Sequence, residues 1–414
     1  MGGANTRLTI LNPGNPTGLK FSVEHGEARC LFDFGLEHAP GRAPFSLGLT
    51  PRPGRELEDF LAVGSAPALD GVYARDGWDG RTEVFISHLH LDHTSLVRFL
   101  HPDVPLHYPA GMEELRQAAE TSGYLPWRSP AGAGVADRQS VRVGEIEVRF
   151  VAVDHDLPGA SGFLVTTPDL SIAYTGDLRR HGLHPEVTDA FAREVKGVDV
   201  LLQEGVMLGY VAPDPAPVER TEAEAIAEIQ RLIGEARGLV VVNVYGMNRE
   251  RVAGVAAGSQ AAGRRFSMES RMGALAGWPE VIPDPAEIAA APSSHCLQLG
   301  FESLRSLIDM RPPAGSTWIQ SGGPPMGPFD PGWPVLESWL QALRMDLQIV
   351  SCSGHSRPRD IEHIVAAVGP RVVLPVHSRA PQALQVPGVP ALVPVPLVPY
   401  TRENLLAASG SATS

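Results

Sequence analysis

Cysteine is scarce in this sequence. Cys30, Cys296 and Cys352 are widely spaced and odd in number. That excludes a disulfide framework and a thiolate metal site, so free thiols are the expected state. Lysine is scarcer still, with only Lys20 and Lys196; the other basic residues are arginines. Together with the many Ala, Gly and Pro, this reads as genomic base composition rather than function. Long apolar runs are missing as well. No stretch approaches the roughly 18–20 residues that span a bilayer. The opening MGGANTRLTI lacks the basic-then-apolar pattern of a secretion signal. A cytoplasmic protein with no membrane partner is the expectation. Positive charge is also short. A formal net charge of −13 argues against a broad basic surface that grips nucleic acid non-specifically. It leaves open a local cleft whose positive charge comes from metal ions and a few arginines.

What is present suits a globular protein of more than one domain. The 414 residues exceed one ordinary core, and 43% hydrophobic with 20% charged content is a globular balance. RLTIL, LKFSV and ARCLFDFG read as a strand meander, with HGE as a turn. TEVFIS follows and ends at His88. EIEVRFVAV alternates as a half-buried strand does and ends at Asp154–His155. GFLVTT and LSIAYTG form a hairpin ending at Asp177, and VDVLLQ ends at Glu204. Near residue 206 the character changes. VAPDPAP resembles a linker, and Thr221 with Glu224 makes a capping box for the helix IAEIQRLIGEARG. LVVVNVY is a continuous apolar run of the buried parallel kind, and a βαβ unit continues through NRERVAGVAAGSQAAG and RRFSM. Residues 273–335 are rich in Gly and Pro and carry little pattern. WPVLESWLQALR is helical, DLQIVSCS is a strand ending at His355, and RVVLPV is a strand ending at His377.

Position is the informative regularity. His88, His155, Asp177, Glu204, His355 and His377 each follow the carboxyl end of an expected strand. In layered α/β folds those ends gather on one edge, where sites are built. SHLHLDHT adds density, because His88 and His90 on one loop can face a single ion while Asp92 and His93 turn towards a second. Imidazole with carboxylate suits zinc, manganese or iron. Asp177, with two carboxylate oxygens, can bridge two cations.

FDFG, SHLHLDH, DH followed by PGASG, and YTGD, in that order, resemble the metallo-β-lactamase superfamily. The resemblance implies an α/β fold, an αββα sandwich with a two-metal site at one edge. By that resemblance the first ion is held by His88, His90 and His155. The second is held by Asp92, His93 and His377, and Asp177 is shared. Asp33 matches the early aspartate that steadies the cluster loop from behind. The 200 residues between Asp177 and His377 leave room for an inserted domain. The chain is therefore similar to the β-CASP branch, with an inserted Rossmann-like domain. The domain reading is residues 1–205 for the first part of the lactamase-like domain, 206–345 for the insertion, 346–400 for the returning part, and 401–414 for a polar tail.

That branch's acidic residue matches Glu204, and its Ser-Gly-His histidine matches His355. AYTGDLRRHG, NVYGMNRERV, GRRFSMESRM and SGHSRPRDIEHIVAAVGPRVVLPVHS resemble segments of bacterial ribonuclease J, without that family's separate C-terminal domain. The resemblance implies a nuclease for single-stranded RNA, acting endo- or exonucleolytically. A DNA nuclease, or a small-molecule ester, thioester or lactone hydrolase, is the alternative. Two divalent ions are implied, zinc first and manganese as the alternative in one or both sites. Their charge exceeds that of the aspartates holding them, so a phosphodiester is drawn to the metals rather than to an acidic surface. Asp92 and Asp177 then serve the catalytic centre directly. His355, held by Glu204, is the candidate to contact the scissile phosphate and protonate the leaving oxygen. Ser353, Ser321, Gly322, Gly323, Asn248, Arg251 and Arg179 are candidate substrate contacts, with salt-bridged or helix-surface roles weighed against the arginines. A homodimer is compatible with the resemblance. His25, His38, His101, His107, His184, His295 and His363 lack a matching motif and are expected to be structural or solvent-facing.

Overall fold

Short apolar strands in the first half of the chain build two sheets that face each other. In a computed structural model, residues 5–12, 18–39, 41–125, 132–210 and 218–407 are described. Among them, Arg7–Ile10, Phe21–His25 and Ala28–Phe32 form the antiparallel meander, and Thr82–Phe85 and Leu106–Pro109 extend it in parallel. With Gly132–Val135 and Pro399–Thr401 at its edges, this sheet has seven strands. The second sheet has six, in the order Val372–Val376, Val200–Glu204, Ser171–Tyr174, Ser161–Thr166, Ile146–Ala152 and Ser140–Val143.

The core lies between these sheets. Phe21, Phe32 and Phe85 from one sheet meet Phe150, Phe163 and Tyr174 from the other, and all six are fully buried. Helices cover both outer faces. Leu57, Phe60 and Leu115 close the first sheet. Phe191, from Pro185–Glu194, and Ile361, Ile364 and Val368, from Pro358–Val368, close the second. The result is four layers, helix–sheet–sheet–helix.

The insertion is a separate five-stranded parallel sheet. Its order is Arg265–Met268, His295–Gln298, Val240–Val244, Thr317–Ser321 and Asp346–Ile349. The run VVVNV sits at its centre, buried throughout, as an all-apolar strand of a doubly covered sheet must be. The expected capping box is present: the Thr221 hydroxyl accepts from the Glu224 N–H, and Glu224 reaches back to Thr221.

Two boundaries move. Asp346–Ile349 pairs with Thr317–Gln320, so the insertion runs through Ile349 instead of ending at 345. The expected polar tail from 401 begins as part of the fold, because Pro399–Thr401 pairs with Arg7–Thr9 and Leu405, in the helix Arg402–Ala407, is fully buried in the central core. The expected linker VAPDPAP, at 211–217, and the end of the tail, 408–414, lie outside the described residues. No helix among the described residues is long and apolar enough to cross a membrane.

Candidate metal centre

Strand direction explains why the candidate side chains converge. Ser171–Tyr174, Val200–Glu204 and Val372–Val376 are parallel, and Ile146–Ala152 runs the same way two strands along. Their carboxyl ends therefore share one edge and deliver His155, Asp177, Glu204 and His377 there. Thr82–Phe85 delivers the SHLHLDHT loop from the facing sheet.

The ligand-type atoms fall into overlapping groups, each within 4.8 Å. His88, His90, His155 and Asp177 form one; Asp92, His93 and His377 form another; Asp177, His355 and His377 form a third. The structure thus brings together all seven sequence-expected ligands. Asp177 lies at the centre, with one carboxylate oxygen 3.2 Å from His93 Nε2, 3.3 Å from His377 Nε2 and 3.5 Å from His88 Nε2.

Neighbouring hydrogen bonds aim the rings. His155 Nδ1 donates to the Gly354 carbonyl at 2.7 Å, which leaves its Nε2 lone pair facing the group. His88 Nδ1 is 2.9 Å from the Ser87 hydroxyl. His93 Nδ1 lies 2.8 Å from Asp33, so its Nε2 also faces inward. Asp33 takes three more donors, the Ser87 N–H and hydroxyl at 2.7 Å each and the Tyr174 hydroxyl at 2.9 Å. It sits where the resemblance places it, behind the cluster loop. Gly35 is required beside it. A β-carbon there would come within 2.1 Å of the Asp92 carbonyl carbon and 2.4 Å of the His93 nitrogen.

Do these residues suit bound cations? Both carboxylate oxygens of Asp177 and His93 Nε2 are buried without a hydrogen bond. Buried polar atoms are seldom left so, and a set of imidazole nitrogens around a shared carboxylate is the donor chemistry of a divalent-ion site. The set fits. Electrostatics agree for His88 and His155, whereas Asp177, Asp92 and Asp33 outweigh burial at His93 and hold it well above its ordinary pKa. Burial pushes His88 well below its ordinary pKa and His155 down to about 3, so both are neutral as ligands must be. Burial disfavours the Asp177 carboxylate, yet His377, His93 and His355 outweigh it and hold Asp177 well below the usual range.

His355 stands at the rim, with ring centroids 5.6 Å from His155 and 5.5 Å from His377. Its Nδ1 is 3.6 Å from Glu204 and 3.7 Å from Asp177. Burial opposes its charge, but these two carboxylates prevail and raise it to about 9. Glu204 is itself fixed from both sides, accepting from the Ser356 N–H at 2.9 Å and the Val206 N–H at 3.0 Å.

The weaker candidates land elsewhere. Arg179 and Arg251, weighed as surface charges, are both buried, at 0% and 2% exposure, and both bind Glu222. The Asn248 side chain accepts from the Arg251 N–H and caps its helix. The Ser353 hydroxyl accepts from the His355 N–H. Ser321 lies against Arg251, while Gly323 packs where a β-carbon would meet the Asn243 side chain. Arg180 pairs with Asp189 at 2.7 Å.

Among the histidines set aside, His107 pairs with Glu83 at 2.6 Å and His184 with Glu250 at 2.8 Å. None of the seven enters a ligand group. Sequence reasoning missed Asp156. One of its oxygens lies 3.4 Å from Nε2 of both His90 and His155. Its place directly after the candidate ligand His155 was the available signal. Tyr245, whose ring centroid is 5.7 Å from that of His90, carried none.

Residues 57–235 match the beta-lactamase superfamily domain family. Ribonuclease J of Sinorhizobium meliloti is 23% identical over 336 residues, 72% of this chain and 57% of its own length. Ribonuclease J of Mycolicibacterium smegmatis is 27% identical over 205 residues, 48% of this chain and 36% of its own. The chain thus spans between 36% and 57% of these curated relatives. A crystal structure of a protein of unknown function from Enterococcus faecalis V583 matches with a TM-score of 0.82 and 26% identity, covering 96% of this chain and all of that one. The chain resembles the metallo-β-lactamase superfamily and, within it, ribonuclease J.

Proposed function

We propose that this chain is a metal-dependent phosphodiesterase of the β-CASP type that cleaves single-stranded nucleic acid, RNA first, in the manner its ribonuclease J relatives are named for. One observation carries the reading. Six side chains from distant segments gather with Asp177, with a protonatable histidine and a buried glutamate at the rim.

His88, His90, His155 and Asp177 would hold one divalent ion, and Asp92, His93 and His377, sharing Asp177, the other. Zinc suits the imidazole-rich group; manganese suits the carboxylate-bearing one. When bound, such ions supply a nucleophile at neutral pH and Lewis acidity towards a phosphoryl oxygen.

The chain's own residues do the rest. Asp33 and the Gly354 carbonyl engage Nδ1 of His93 and His155, so that Nε2 of each is the nitrogen turned towards the ions. Glu204 faces His355 Nδ1, so Nε2 is the nitrogen turned away from it. His355, with Glu204 at its Nδ1, would deliver a proton to the leaving oxygen. We place the protein in the cytoplasm, as a monomer or homodimer.

The test is incubation of the purified protein with 5′-labelled single-stranded RNA and DNA, bearing 5′-monophosphate or 5′-triphosphate ends, with zinc or manganese added. Metal-dependent RNA cleavage is the expected result. Thioester or lactone hydrolysis without oligonucleotide cleavage would overturn the reading.

A further inference from the structure

Arg179 follows the shared ligand Asp177 by two residues, and its side chain is fully buried. Its Nη1 donates to Glu222 at 2.8 Å. Its Nε and Nη2 make no hydrogen bond, and the nearest other carboxylate, Asp154, is 3.7 Å away. Glu222 belongs to the insertion, where it opens the helix Glu222–Glu235, and it too is fully buried. The same carboxylate receives Arg251 Nε at 2.7 Å and Nη2 at 2.6 Å.

Arg251 does more than pair. Its Nη2 also donates to the Cys352 carbonyl at 3.0 Å, and its Nη1 to the Ser321 carbonyl at 3.3 Å. Cys352 opens the short loop Ser353–Gly354 that ends at His355. The Glu222 N–H donates to the His181 carbonyl at 2.8 Å, and His181 Nε2 donates to the Ser353 carbonyl at 3.0 Å. One buried carboxylate therefore joins the loop after Asp177, two helix starts of the insertion and the loop before His355.

Without that carboxylate, two buried guanidiniums would face each other with only Asp154, 3.7 Å from Arg179, as a remaining ion-pair partner and none for Arg251, an arrangement a protein interior sustains poorly. They would separate, and Arg251 would let go of the Cys352 carbonyl. We propose that Glu222 is a positioning residue: by drawing Arg179 and Arg251 together it sets His355 against the Asp177 loop. The catalytic consequence rests on the phosphodiesterase reading, while the positioning itself does not.

The three buried cysteines make the test independent of turnover. Cys352 lies at the start of the clamped loop, at the margin of the insertion core that also holds Cys296, and Cys30 lies in the central core. Wild type, Glu222→Gln and Arg251→Lys are exposed to a thiol reagent, and labelling is mapped by mass spectrometry. In both variants Cys352 should label at least about ten-fold faster than in wild type, with Cys30 and Cys296 unchanged, as local opening requires. Metal content per chain should stay at the wild-type value. On a labelled oligonucleotide kcat should fall by about 10²-fold with little change in KM, the effect of misplacing a reacting group.

Unchanged protection of Cys352, or equal exposure of all three thiols, would overturn the proposal. If Glu222→Gln does not fold, Arg251→Lys decides by the same criteria. Selective exposure of Cys352 in a protein whose wild type cleaves no nucleic acid would uphold the clamp and refute the function.

Discussion

Replacing Asp33 by alanine should damage both stability and metal binding. The carboxylate accepts four hydrogen bonds, all at 2.7–2.9 Å, in a fully buried position. Bonds to a charged acceptor are worth about 1.5–3 kcal/mol each, and a buried donor left unpaired costs about 1–3 kcal/mol. Entry of water and non-additivity reduce the sum, so a loss of roughly 4–6 kcal/mol follows. Asp33 also has φ +52°. Alanine there adds about 1 kcal/mol, because aspartate tolerates left-handed backbone better. Losing the partner that aims His93 should weaken metal affinity about 10- to 100-fold. Urea unfolding with a chelator present measures the first effect, and competition with a chromophoric chelator the second. A variant with wild-type metal affinity and a stability loss under about 1 kcal/mol would refute the reasoning, since a hydrogen-bonded buried carboxylate cannot be dispensable on these terms.

Other expectations follow from the same geometry. His355→Ala should retain bound metal and lose about 10²–10⁴-fold in phosphodiesterase rate, the range of general acid catalysis. Asp177→Ala should lose both, and elemental analysis beside an oligonucleotide assay separates the cases. Gly35→Ala drives a β-carbon into the Asp92 and His93 backbone. It should release metal and lower the melting temperature, read by thermal denaturation with and without zinc. Lys20, held at Gly35 O by a 2.8 Å hydrogen bond, is lowered by burial from 10.5 to about 8. Between those pH values only the unfolded chain holds that proton, so the folded state gains stability as pH rises through the window. At about 1.4 kcal/mol per pH unit the gain is roughly 3 kcal/mol. Chelator-treated wild type should show it in urea titrations, and Lys20→Met should not.

The candidate ligands were legible because the segments that carry them follow apolar strands, and strands announce themselves by alternation or by unbroken apolar runs such as VVVNV. The insertion was legible at its central strand and at its two edge strands, and not at the two strands between them. His295–Gln298 and Thr317–Ser321 are strands written in mixed residues, HCLQ and TWIQS, between Gly- and Pro-rich stretches, and only the neighbouring parallel strands make them so. Gly132–Val135, read GAGV, has no β-branched residue before its last position and depends on pairing with Leu106–Pro109. Arg179 and Arg251, offered as candidate substrate contacts with a surface role as the alternative, are buried, which their sequence does not announce because arginine is rarely buried. Their partner Glu222 reads in sequence as an ordinary acidic first-turn residue. Burial of a charge is decided by what the rest of the chain brings to it, which no local pattern contains.

The most direct measurement is anomalous diffraction from crystals of protein purified without chelator. Two divalent ions per chain are expected, about 3.5–4 Å apart as in two-metal hydrolases. One should lie among His88, His90 and His155 and the other among Asp92, His93 and His377, with Asp177 touching both. Protein free of transition metal, or metal bound away from Asp177, would contradict the account.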